Sequence, residues 1–246
     1  MLFRSHLARS ALGSYHLPIP RPGNEVSIVV TALSEFSEEW SLDTDELRLW
    51  ACLHELATHA VLEVPTIHRA LSDLLREFAG SFQVNPAGRE DRVSTFEMPD
   101  LSAEPGDALL SFQKMLGDPE VLLGAVRSPA QATVQPRLEA LVCVVVGWVD
   151  YALDVVTPRL LGGAGRLGEA LRRRRVEASD ADRFVEGLFG LELRQRTYDR
   201  GGAFISGVVE RAGEDALLGL WANAESLPTP AEIEAPGLWL ARLEFR

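Results

Sequence analysis

Histidine, glutamate and a second histidine fall within six positions of one another in this chain, as His54-Glu55-Leu56-Ala57-Thr58-His59. Two imidazoles four residues apart on a helix can hold a zinc ion, and a glutamate directly after the first can take a proton from metal-bound water. His59 is one position late for that geometry. At 3.6 residues per turn, a side chain four residues on is offset by roughly 40°, but one five residues on by roughly 140°. A regular helix therefore cannot aim His54 and His59 at one metal ion. A π-bulge near Ala57 would bring them into register.

The stretch that must position these groups runs from Asp43 to Pro65. Asp43 is suited to cap its first turn, with Glu46 reaching back to the Asp43 amide as in a capping box. Pro65 ends it by lacking an N–H and pushing Val64 out of the helical region. Between them Leu47, Trp50, Ala51, Leu53, His54, Ala57, Thr58 and Val61 recur at three- and four-residue steps, so His54 is expected to point inward. A second long helix is expected to begin at Pro136 and to end before Pro158. Its apolar residues run almost all round, which places it at the centre of the fold. Cys143, Val146 and Asp150 lie on it.

Around these two helices the chain reads as mainly helical. Residues 6–16 read as the end of a helix, and Leu17 to Asn24 as a proline-punctuated loop. Val26 to Ala32 is β-branched and apolar, hence a short buried strand, followed by a short helix over Ser34–Trp40. Thr66 to Phe82 is amphipathic, and His68 on it reads as a solvated neighbour of the apolar stripe. Residues 84–107 form a loop or linker rich in Pro and Gly. Short helices are expected at 108–116 and 119–126. Leu160 to Arg175 ends in four arginines that suit a helix C-terminus, with one or two of them pairing inward. A buried Glu55 without a metal needs a partner, and the arginines of residues 172–200 are the candidates, the other reading being a polar pocket. Further helices are expected over 180–200, 201–213, 214–222 and 230–242.

Composition bounds the function. The chain has 246 residues, 46% hydrophobic and 24% charged, as in ordinary globular proteins. A net charge of −12 argues against a nucleic-acid partner, which would require a surplus of Lys and Arg. Cys52 and Cys143 both read as buried, reduced thiols. No signal peptide is evident, and the apolar run Leu141–Val149 falls well short of the roughly 20 residues that cross a bilayer. The cytoplasm is the expected location. The first five residues, MLFRS, read as a non-native leader.

The blocks LWACLHELATHAVL, EALVCVVVGWVDYALDVV, ALRRRR, GLELRQRTYDRGGAF and LWANAESLPTPAEI resemble, in order, those of a bacterial family common in actinobacteria: zinc-dependent metalloproteases, or zincin-like hydrolases. Some of its members are labelled as associated with biosynthesis of a deazaflavin coenzyme. The resemblance covers nearly all of residues 11–243. It implies that His54 and Glu55 match the first zinc ligand and the general base, and that His59 matches an additional histidine. Thr58 stands at the second-ligand position and Val146 where the family carries a glutamate as third ligand. His59 and Asp150 are the substitutes available, with Cys143 one turn before Val146.

The expected architecture is thus a mainly α, zincin-like helical domain with a short strand element, spanning 6–246 and lacking an N-terminal region that the family carries. The expected function is that of a metalloprotease-like hydrolase impaired at its site, with zinc absent or weakly bound. One alternative is a hydrolase active through a displaced ligand set. Another is a non-catalytic module that binds a peptide or protein, with no nucleic acid and no membrane among its partners.

Overall fold

The computed structural model describes residues 11–81 and 128–245. Its helices, in chain order, are α1 (Val30–Glu39), α2 (Thr44–Leu62), α3 (Pro65–Gly80), α4 (Pro129–Val156), α5 (Ala164–Val176), α6 (Asp180–Leu188) and α7 (Gln195–Ala212). After α7 come short 3₁₀ turns and α8 (Gly219–Ala222), α9 (Pro230–Ile233) and α10 (Pro236–Glu244). The expected leader at 1–5, the loop at 84–107 and the short helices at 108–116 and 119–126 lie outside the described residues.

The reading of α4 as the central helix holds, and the reason is visible in its two faces. Leu138, Leu141, Val142, Val145, Val146, Val149 and Leu153 join one apolar cluster with α1, α2, α3 and α5. Ala140, Cys143 and Val144 join a second with Phe204, Ile205 and Val208 of α7 and Trp239 of α10. A helix between two cores must be apolar all round. By length and composition α4, with the turn after it, is also the one described helix that could cross a membrane, yet most of it is buried inside the fold. It starts earlier than Pro136: Ser128 and Gln131 form a capping box at Ser128, and the helix runs on through Pro136 on an exposed face. The tightest crossing is with α7, where a Cβ on Gly147 would lie 2.2 Å from the Gly201 backbone and one on Gly201 2.1 Å from the Cys143 carbonyl oxygen. Burial among these apolar groups raises the Cys143 pKa to about 11, so it is a packed thiol, while Cys52 is exposed rather than buried.

The expected strand does not form. Val30 to Ala32 already belong to α1, because winding into a helix buries Ala32, Leu33 and Phe36 together. What remains of extended pairing among the described residues is an isolated bridge between Gly13 and Ile28. Residues 11–16 are likewise not helical but part of a looped segment. Hydrogen bonds from the Ser14 amide to the Ser27 carbonyl and from the Val29 amide to the Leu12 carbonyl close this segment on itself. Asp43 caps α2 as expected, accepting from the Asp45 and Glu46 amides. The reciprocal half of the box is missing. The Glu46 carboxylate instead accepts from the amides of Gly162 and Gly163, tying the start of α2 to the loop before α5.

Candidate functional site

Helix α2 is α-helical throughout, without the bulge that would bring His59 into register. His54 and His59 therefore point in different directions. The His59 Nδ1 is 2.7 Å from the Tyr15 hydroxyl, while the His54 ring stacks on Trp50 with centroids 5.0 Å apart. The buried charged residue of this stretch is Glu55, at 3% exposure. Its Oε2 accepts from the Tyr15 amide at 2.8 Å, and its Oε1 lies 3.4 Å from the His54 Nδ1. Among the described residues no arginine pairs with it, so of the two readings of a buried Glu55 the arginine partner is not the one found. The looped segment 11–29 reaches Glu55 first, and a backbone amide satisfies a buried carboxylate without burying a second charge.

Gly13 is what lets the segment come so close. A Cβ there would lie 2.3 Å from the Glu55 carboxyl carbon. Gly13→Ala is expected to lift the segment off α2 and to destabilise the protein by about 1–3 kcal/mol, through overpacking and a lost hydrogen bond to a charged group. Hydrogen exchange at the Tyr15 amide should quicken in that variant; an unchanged rate would show that Glu55 simply moves aside.

The position facing His54 is nearly closed. α2 and α4 pack together, and His54, Thr58, Val146 and Asp150 line one space of about 10 Å³, scarcely enough for one water molecule. The structure thus brings together four of the residues singled out from the sequence. Their donors, however, are engaged or absent. The Thr58 hydroxyl donates to the His54 carbonyl at 2.8 Å. Val146 has no donor atom. Both Asp150 oxygens accept from Arg175, at 2.9 Å each, and the Arg175 guanidinium lies 3.6 Å above the Tyr198 ring centre. Burial opposes the charge of Arg175, but Tyr198 and Asp150 outweigh it and hold its pKa above the ordinary value. Cys143 turns to the other core.

Zinc requires three or four N, S or O ligands at about 2.0–2.3 Å. Among the described residues no group of three His, Cys, Asp or Glu side chains is placed to hold a metal ion. The residues present do not fit zinc at this position. The four arginines divide as expected: Arg172 and Arg173 are exposed and pair with Glu169, while Arg174 and Arg175 turn inward.

Sequence reasoning passed over Tyr15, Gly13, His16, Asp182 and Glu186. Asp182 and Glu186 stand four residues apart on α6, a spacing readable as one helix face, and both are buried. The His16 Nε2 is 3.6 Å from Asp182. Burial raises the pKa of Glu186, against the lowering effect of the Leu193 amide that it accepts from.

The fold is similar to that of a protein from Chloroflexus aurantiacus described as a candidate hydrolase with a novel fold. The TM-score is 0.63 at 22% identity, over 99% of this chain and 67% of the other. No curated protein matches the chain. The family model of zincin-like metallopeptidases matches residues 3–240, and the chain belongs to that family.

Proposed function

We propose that this protein is a zincin-like metallopeptidase relative in which the hydrolytic site is dismantled, and that its cleft binds a peptide or protein segment without cutting it. The observation that carries the reading is the space shared by His54 and Val146, where a single imidazole faces an apolar wall and the one carboxylate in the lining, Asp150, is held by Arg175. One imidazole supplies a small fraction of the binding free energy of a zinc site. Glu55 takes the role of a structural pin, fixing the segment around Gly13 and Tyr15. The net charge of −12 speaks against nucleic acid, and the burial of α4 against a membrane. The cytoplasm suits a chain with free Cys52 and Cys143.

The experiment is elemental analysis of protein dialysed after zinc loading, together with hydrolysis of a quenched fluorescent peptide mixture by wild type and Glu55→Gln. Zinc far below one equivalent and equal background rates are expected. A working general base contributes about 10²–10⁴-fold, so near-stoichiometric zinc with cleavage lost in Glu55→Gln would overturn the reading. That result would favour a displaced ligand set built on His54 with His59 or Asp150.

A further inference from the structure

Beside Glu55 a much larger cavity opens, of about 370 Å³, within the range of small-ligand sites. Its walls bring together segments distant in sequence. Phe36 and Trp40 come from α1, Trp50 from α2 and Tyr198 from α7. The same lining carries the carboxylates of Glu39, Glu55, Glu177, Asp182 and Glu186 against the guanidiniums of Arg174 and Arg175. Arg175 is engaged with Asp150, which does not line this cavity. Arg174 faces Asp182 and Glu39, His16 lies beside Asp182 and His54 beside Glu55, and with both histidines neutral the balance stays negative.

Glu186 adds an observation independent of that count. It is 8% exposed, and its Oε2 accepts from the Leu193 amide at 2.9 Å. Its Oε1 accepts no hydrogen bond from the described residues, although the side chain lines the cavity. That oxygen is not enclosed, so a donor entering the cavity can reach it. The aromatic walls already accept cations: Arg173 lies 5.8 Å from the Trp40 ring centre and Arg174 5.2 Å from that of Phe36.

We propose that this cavity binds an organic cation, a primary ammonium on a short apolar stem. It would donate to Glu186 while the stem lies against Trp40 and Trp50. An anion is disfavoured by the carboxylates, and a bare metal ion by the absence of a coordinating trio among the described residues. An ammonium brings three donors on a compact head. The shared chemistry fits two sources, a lysine side chain of a peptide or a free alkyl diamine. This inference rests on the reading that the cleft binds without cleaving.

The test is calorimetric titration of the full chain, in the presence of EDTA, with 1,5-diaminopentane and with a lysine peptide. The diamine is compared with its N,N′-diacetyl form and the lysine peptide with its Nε-acetyl form, in which the ammonium is removed. Both charged ligands should lose about tenfold or more in affinity on acetylation, and the tighter of the two identifies the source. Glu186→Gln, which keeps an acceptor for the Leu193 amide, should show a similar loss for the amine. Should that variant fail to fold, the comparison of charged and acetylated ligands on wild type decides alone. Equal affinity of the two forms, or no binding of either, overturns the cation site. Zinc found in the protein would overturn the dismantled-site reading instead, so the two failures are distinguishable.

Discussion

Gly201→Ala should lower the stability of this protein by about 2–3 kcal/mol, and Gly201→Val by more, because the crossing of α4 and α7 leaves no room for a side chain. A Cβ on Gly201 would stand 2.1 Å from the Cys143 carbonyl oxygen, and one on Gly147 2.2 Å from the Gly201 backbone. Both obstacles are main chain, so no rotamer change relieves them, and the helices must move apart. Moving them disturbs the second core, where Phe204, Ile205 and Val208 are fully buried. Neighbouring Gly202 is the control, since a Cβ there meets nothing within 4 Å. Gly202→Ala should gain roughly 0.5–1 kcal/mol from helix propensity. Thermal unfolding reads both, at roughly 2–4 °C per kcal/mol for a chain of this size. Indistinguishable melting of the two alanine variants would show that α4 and α7 do not cross this closely.

The second large effect is a gain. Thr58→His restores the four-residue spacing from His54, and Val146→Glu presents a carboxylate from α4 into the same space. Without metal the double variant should be less stable than wild type. It buries a carboxylate four residues from Asp150 on one helix face, and the present space of about 10 Å³ must widen. With zinc the order should reverse. About one zinc per chain is expected by elemental analysis, and saturating zinc at about 1,000 times its dissociation constant adds about 4 kcal/mol to unfolding. Wild type should show no zinc-dependent shift of its unfolding midpoint. If the double variant gains neither zinc nor a shift, His54 and position 146 do not converge on one point, and the description of the site fails with it.

The helices that carry the site were legible because their signals are local. Asp43 and Pro65 bracket α2 as expected, and the all-round apolar pattern of α4 matches its place between two cores. What periodicity could not supply is the identity of whatever covers a second face. His54 was expected to point inward and Glu55 to be buried against an arginine or a polar pocket, but what encloses Glu55 is the segment carrying Gly13 and Tyr15. That segment has no period and was read partly as helix. The run from Val26 to Ala32 shows the opposite error. Its β-branched composition is real, but a strand needs a partner ladder, and burying Leu33 and Phe36 favoured the helix. The larger cavity was illegible for a third reason. Its lining comes from α1, α2, α5, α6 and α7, and the Asp182–Glu186 spacing becomes meaningful only once they meet.

The bond from Glu46 to the Gly162 amide also bears on how the chain is made. It joins residues 116 positions apart, and Thr66 reaches the Trp221 carbonyl across 155. At about 5–20 residues per second, a ribosome needs roughly 6–23 s to deliver Gly162 after Glu46. For about 4–15 s of it, while the 76 residues from Gly80 to Val156 are added, α1, α2 and α3 are complete and the helix that buries their apolar faces is still being synthesised. A protein so rich in helix would ordinarily fold from local contacts. Here those faces stay uncovered until α4 is made, the condition in which a growing chain is most prone to associate with others.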